Sequence, residues 1–113
     1  MTRAPSERIR NALSHVAILR QHLERGPIDD LLIFDAVCQR LAASIEEVMA
    51  LPEELVIAEF GARWRGIRAT RNALAHNYRF VDHLAVRQTV SDNLDDFEQG
   101  LRRLQVTIAA GGG

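Results

Sequence analysis

Between Arg71 and Arg79 the chain reads Arg-Asn-Ala-Leu-Ala-His-Asn-Tyr-Arg, and its polar side chains are types that handle phosphate and protons. An arginine fork matches the oxygens of a phosphate. An imidazole titrates near neutral pH and can take or give a proton. Together they are the parts of a metal-free cleavage of RNA. An imidazole deprotonates a 2′-hydroxyl or protonates a leaving 5′-oxygen, and a guanidinium stabilises charge growing on the phosphoryl oxygens. The intervening Ala73, Leu74 and Ala75 favour a helix. Successive helical residues turn by about 100°, so Asn72 and His76 share one face, with Arg79 nearby, and Arg71 and Tyr78 share the neighbouring one. Arg71 and His76 themselves stand roughly 140° apart on that arithmetic. One straight helix does not converge them. Either the helix ends near His76, or the same motif from a second subunit supplies the facing groups across a two-fold axis.

Plain structural roles exist for the same side chains. Glu46, Glu47 and Glu59 are available as ion-pair partners for Arg71, which would then fix the bundle. His76 suits the carbonyls of a helix C-terminus, and Tyr78 suits a core edge with its hydroxyl at the rim.

The elements that must position these residues read as helices throughout, with no strand signal. Helix 1 is expected after Pro5-Ser6, with Ser6 as N-cap. Its apolar stripe is Ile9, Leu13, Val16, Leu19 or Arg20, and Leu23, and Gly26-Pro27 ends it. Asp29 and Asp30 are expected in the first turn of helix 2, where acids suit the helix dipole. The seam of helix 2 is Leu31, Phe34, Cys38, Leu41, Ile45 and Val48, which makes Cys38 a core residue rather than a reactive thiol. Pro52 opens a short helix, which Gly61 ends. Trp64, Ile67, Leu74 and Ala75 form the apolar side of the helix that carries the motif. Asp82 is the expected N-cap of the last helix, striped by Val86 or Arg87, Val90, Leu94, Phe97, Leu101, Leu104 and Ile108. The predicted fold is all-α, an up-down bundle of four main helices plus a short one.

With 113 residues the chain is one domain, assigned to residues 1–108, with a flexible glycine-rich tail at 109–113. The single cysteine allows no internal disulfide and suits a reducing compartment. The first residues lack the apolar core of a signal peptide, and no run approaches the ~18 apolar residues of a membrane span. A cytoplasmic location is expected. All fourteen basic residues are arginine, and the net charge is −1. Arg63, Arg65, Arg68, Arg71 and Arg79 nevertheless fall in an acid-free window between Gly61 and Val81, on a chain with fifteen acids elsewhere. A solvated helix face explains such a window. An RNA backbone explains it too, which makes Arg68 and Arg79 candidate phosphate contacts. His15 and His22 share a face of helix 1 without acids or thiols at zinc-ligand spacing, so no metal site is expected. No P-loop or dinucleotide turn is present, and no cofactor is expected. Asp92, Asp95, Asp96 and Glu98 make an acidic patch on the last helix, either solvated or a dock for a basic partner.

The pattern Arg71-Asn72-x-x-x-His76-x-Tyr78 resembles the signature of the HEPN superfamily, and specifically of its HepT-like toxins. Asp35-Ala36-Val37 with Arg40-Leu41, Trp64-x-x-Ile67, Val81-Asp82 and the closing leucine-rich helix extend the likeness over about residues 6–105. The family's Gly-Glu-Ala-like stretch in helix 2 reads here Ala43-Ser44-Ile45-Glu46-Glu47, with Glu46 as the equivalent acid. The resemblance implies a helical homodimer with a metal-independent endoribonuclease site in the dimer cleft. Arg71 and His76 would be catalytic and Asn72 supporting. Tyr78 would be the regulatory position, to which a partner nucleotidyltransferase antitoxin of the MntA type attaches AMP. The bulk and charge of such groups would exclude an RNA phosphate. The alternative is a non-catalytic helical subunit that binds substrate for a separately encoded nucleotidyltransferase.

Overall fold

A computed structural model describes residues 4–77 and 83–112. Every regular element among them is helical: α1 (Pro5–Arg25), α2 (Leu31–Met49), α3 (Glu53–Phe60), α4 (Arg63–Asn77) and α5 (His83–Thr107), followed by one wide turn at Ile108–Gly112. The all-α bundle expected from the apolar periodicity is what forms.

Helix α2 sits at the centre. It runs along α1 on one side and meets α4 on the other, while α5 lies over α1 and the short α3. The core comes from one stripe per helix. Ile9, Ala12, Val16 and Leu19 of α1 meet Phe34, Val37, Cys38, Leu41, Ile45 and Val48 of α2, and Val86, Leu94, Phe97, Leu101 and Leu104 of α5 close over them. Two small residues let α1 and α2 approach closely. Ala12 and Ser44 are both fully buried, and the Ser44 hydroxyl donates to the Ala12 carbonyl at 2.9 Å. That bond satisfies a polar group whose burial would otherwise cost about 1–3 kcal/mol. Periodicity does not reveal it, because a serine beside Ile45 reads as a neutral position.

The second small-residue contact joins α3 to α5. Gly100 is buried, and a Cβ built on it would come 2.4 Å from the Phe60 ring. Phe60 in turn stacks on Phe97 at 5.9 Å and on Trp64 at 6.1 Å, and Arg63 lies over its ring. This aromatic group anchors the start of α4. Gly61, at φ +58, makes the sharp turn between α3 and α4, a backbone region that glycine enters without strain.

Several local expectations are corrected. Ala4, not Ser6, is the N-cap residue of α1, because Pro5 already occupies the first helical turn where its missing N–H costs nothing. Asp29 and Asp30 precede α2 rather than lying in its first turn. Asp30 is the cap, its carboxylate accepting from Leu32 and Ile33 N–H at 2.9 and 3.4 Å, a contribution of about 1 kcal/mol. Leu31 is 63% exposed, since the α1–α2 turn leaves that end of the seam uncovered. Ala75 is exposed too, because α4 covers α2 through Leu74 alone at that level. Of the paired choices on α1 and α5, Leu19 and Val86 are the core residues, while Arg20 and Arg87 reach carboxylates. Asp82 lies outside the described residues.

Candidate functional site

Helix α4 differs from its neighbours. It carries no acid, it touches α2 and α3, and it hardly meets α5, from which an apolar groove of about 360 Å³ separates it. Trp64 and Leu74 hold it to the core, and Ile67 is half-buried between them. Its other positions point outward. Arg63, Arg65 and Arg68 are exposed and make no ion pair among the described residues. Arg68 lies at the edge of a groove with Glu53, Trp64 and Val48.

Arg71 is the exception on this helix. Its Nε and Nη2 both donate to Oε1 of Glu46 on α2, at 3.1 and 2.9 Å, and Nη1 donates to Oδ1 of Asn72 at 3.2 Å. One of the three ion-pair partners open to Arg71 is therefore chosen, and it is Glu46. Glu59 instead takes Arg103, and Glu47 holds Arg8 of α1. The Arg71 and Glu46 side chains are 25% and 50% exposed. An ion pair so open to solvent is worth at most about 1 kcal/mol, and it does not hold the bundle together. Glu46 also lines a groove of about 350 Å³ between α2 and α4, together with Asp35, Gln39, Ala43, Leu74 and Ala75.

His76 is exposed near the end of α4 and makes no hydrogen bond or ion pair among the described residues. Helix α4 remains α-helical through Asn77, so within one protomer Arg71 and His76 keep their helical offset of roughly 140°. The structure brings Arg71 to Asn72 and Glu46, not to His76. Tyr78 and Arg79 lie outside the described residues.

The arginine–histidine contact that the fold does make was not legible in the sequence. Arg40 of α2 lies 3.1 Å from Nδ1 of His15 on α1. The imidazole nitrogen that meets a guanidinium can only accept, so Nε2 carries the proton. Burial first, and the Arg40 charge second, push the His15 pKa below 6.5 against the opposing pull of Glu47 and Glu46. The partners are twenty-five residues apart, beyond any local spacing rule. The acidic patch on α5 also resolves. Asp95 and Glu98 are taken by Arg20 of α1, and Glu98 by Arg102 as well, so half of the patch is an inter-helix tie.

Cys38 is buried, and burial together with the nearby Asp35 charge pushes its thiol up to about 12. Among the described residues no cluster of three or more histidine, cysteine or acidic side chains is placed to hold a metal ion, and no helix is long and apolar enough to cross a membrane.

Residues 9–104 match the model of the family described as Ribonuclease HepT-like. No curated protein and no solved structure matches the chain. The matched span begins at the first buried residue of α1 and ends at the last buried leucine of α5, so it takes in the whole five-helix core and the Arg71–His76 motif. On that match, and with the helical architecture to go with it, the chain belongs to the HepT-like ribonuclease family of the HEPN superfamily.

Proposed function

We propose that this protein is a metal-independent endoribonuclease, the toxin of a toxin–antitoxin pair, acting at a composite Arg71/His76 site in the cleft of a homodimer. The observation that carries the reading is the state of Arg71. Its plane is fixed on one side by Glu46, while His76, roughly 140° away on the same helix, makes no hydrogen bond or ion pair among the described residues. Two such helices related by a two-fold axis place the imidazole of one protomer opposite the guanidinium of the other.

Two copies of the chain supply the groups for the reaction. One His76 imidazole takes the proton of a ribose 2′-hydroxyl. The 2′-oxygen attacks phosphorus and a 2′,3′-cyclic phosphate forms as the P–O5′ bond breaks. The partner's His76, protonated, gives its proton to the departing 5′-oxygen. Arg71 holds the non-bridging oxygens as negative charge builds on them. Arg68 and Arg79 contact flanking phosphates, and Asn72 keeps the guanidinium in plane. One helical domain over residues 1–108 suffices for this, and the glycine-rich end at 109–113 has no part in it. The reading places the protein in the cytoplasm.

Control comes from Tyr78, two residues beyond the proposed catalytic histidine. A partner nucleotidyltransferase antitoxin of the MntA type transfers AMP to its hydroxyl, and each transfer adds bulk and negative charge where an RNA phosphate must enter.

The test is cleavage of total RNA by the purified protein with chelator present. Wild type is expected to cut, and His76→Ala and Arg71→Ala to lose about 10²–10³-fold in rate. Mixing the two inactive variants is expected to leave cutting low, because such a heterodimer keeps one His76 and the reaction uses two, one as base and one as acid. Equal activity of wild type and His76→Ala removes the catalytic histidine. With antitoxin and ATP, a mass increase in AMP units on Tyr78 is expected, and adduct elsewhere counts against the regulatory reading.

A further inference from the structure

The Arg71–Glu46 pair is more specific in its geometry than an ordinary surface ion pair. A guanidinium presents five N–H groups in a rigid plane. A single carboxylate oxygen, Glu46 Oε1, spans Nε and Nη2, and Asn72 Oδ1 takes one N–H of Nη1. Three of the five are thereby used. The Nη2–H on the Nε side goes to Glu46, so the one still open faces Nη1, and Nη1 keeps one of its own. One N–H is thus left on each terminal nitrogen, and these two remain for the non-bridging oxygens of a phosphodiester.

The platform beneath this contact is well packed. Glu46 follows Ser44 and Ile45, whose side chains are among the most buried in the protein, and the Ser44 hydroxyl ties α2 to the Ala12 carbonyl of α1. Two residues further on, Val48 is fully buried. The carboxylate therefore projects from a helix with buried residues along its length onto the most thinly packed one. It adds little to stability at its exposure, yet it fixes both the height and the plane of the Arg71 guanidinium.

We infer that Glu46 is a positioning residue for the ribonuclease site: it clamps the inner edge of Arg71 so that only the outer edge meets the scissile phosphate. The inference rests on the ribonuclease reading of the preceding section. It differs from a role in the fold, and from a latch that must release before RNA binds. A clamp stays closed when phosphate arrives, because substrate and carboxylate use different edges of the same fork.

Kinetics separate these roles. Glu46→Ala is expected to lower kcat by about 10–100-fold, the scale on which a misplaced group acts. KM for RNA is expected to stay constant or fall, since a negative charge beside the phosphate is removed. The melting temperature should hardly move. Glu46→Gln keeps an acceptor oxygen at the same reach and is expected to recover part of kcat. A rise in kcat in Glu46→Ala marks a latch, and unchanged kcat and KM leave Glu46 without a role in the site; either result overturns the clamp.

A second measurement does not depend on turnover. The ¹⁵N resonance of Arg71 Nε–H is followed in the full-length wild type while a 2′-O-methyl oligoribonucleotide, which cannot be cleaved, is added. The expected result is a protected Nε–H that persists on binding while the Nη signals shift, and a Nε–H lost to solvent exchange in Glu46→Ala. An active wild type whose Nε–H is released on binding overturns the clamp alone. A wild type that cuts no RNA while Nε–H stays held takes away the ribonuclease reading, and this one with it.

Discussion

Two arginines of this protein each bridge helices through carboxylates, and they serve opposite ends. Arg20 of α1 gives Nε to Glu98 and Nη2 to Asp95, both on α5, and Glu98 is held from its own helix by Arg102. Arg71 of α4 gives one edge to a single oxygen of Glu46 and one further N–H to Asn72. In the first cluster two cations and two anions close on each other, and the α1–α5 seam is tied. In the second, one carboxylate meets a helix that bears three further arginines without ion pairs among the described residues, so the cluster keeps positive charge and unspent donors. A balanced network fits a structural tie, whereas an unbalanced one on a thinly packed helix fits a place where a phosphate completes the count.

The sharpest way to break this contrast is to truncate each arginine. Arg71→Ala is expected to lose about 10²–10³-fold in RNA cleavage, with the melting temperature nearly unchanged. Arg20→Ala should do the reverse: a loss of no more than about 1 kcal/mol in a urea melt, since its side chain is 39% exposed, and no change in cleavage. If Arg20→Ala abolishes cleavage in a protein that stays folded, the two clusters are not separable.

A larger structural effect belongs to the α3–α5 contact. Gly100→Ala drives a methyl into the Phe60 ring and is expected to cost about 1–3 kcal/mol by denaturant unfolding. The same variant shifts Trp64, which stacks on Phe60, and so loosens the start of α4. Cleavage should fall only modestly; a loss as deep as that of Arg71→Ala would mean that the site depends on the packing of α3 more than on the Glu46 contact.

Titration gives a smaller discriminator. Burial alone would raise the Glu98 pKa, but hydrogen bonds from Arg102 and Arg20 outweigh it and hold the carboxyl below 4.5. A depressed folded value means stability that is present above pH 4.5 and is lost as pH falls below it through the folded value. Glu98→Gln should flatten that acid limb of the melting curve; an unaltered limb would show that the seam is not tied through Glu98. His15 works in the same pH direction at a higher range. Its folded pKa lies below 6.5, so the unfolded chain binds the proton more readily and stability declines as pH falls under 6.5. His15→Gln is expected to remove that shallow slope. The smallest signal is the Cys38 thiol, buried with a pKa of about 12, which should react with a thiol reagent at pH 8 only after denaturation.

The core was largely legible because it follows from period alone. Phe34, Cys38, Leu41, Ile45 and Val48, or Leu94, Phe97, Leu101 and Leu104, recur at helical spacing, and burial of one face needs nothing more. Misses occur where an end is left uncovered, as at Leu31, or where the chemistry of a turn decides, as at Ala4 and Asp30. Ser44 and Gly100 escaped notice because close approach of two helices is a property of the pair and not of either stripe. The candidate site was legible in its residue types but not in their contacts. Residue types and spacing singled out Arg71, Asn72 and His76, and the arc between Arg71 and His76 already argued against one protomer acting alone.

By itself, then, the sequence determined the helical class, the apolar stripes and the spacing of Arg71, Asn72 and His76, since each depends on interactions within about two turns of helix. Only the tertiary structure decided which of three glutamates holds Arg71, that Arg40 lies against His15, and that α4 stands apart from α5. These are contacts between residues far apart in the chain. They follow from how the stripes pack against one another, and packing fixes the lateral position of each helix in a way that no single stripe encodes.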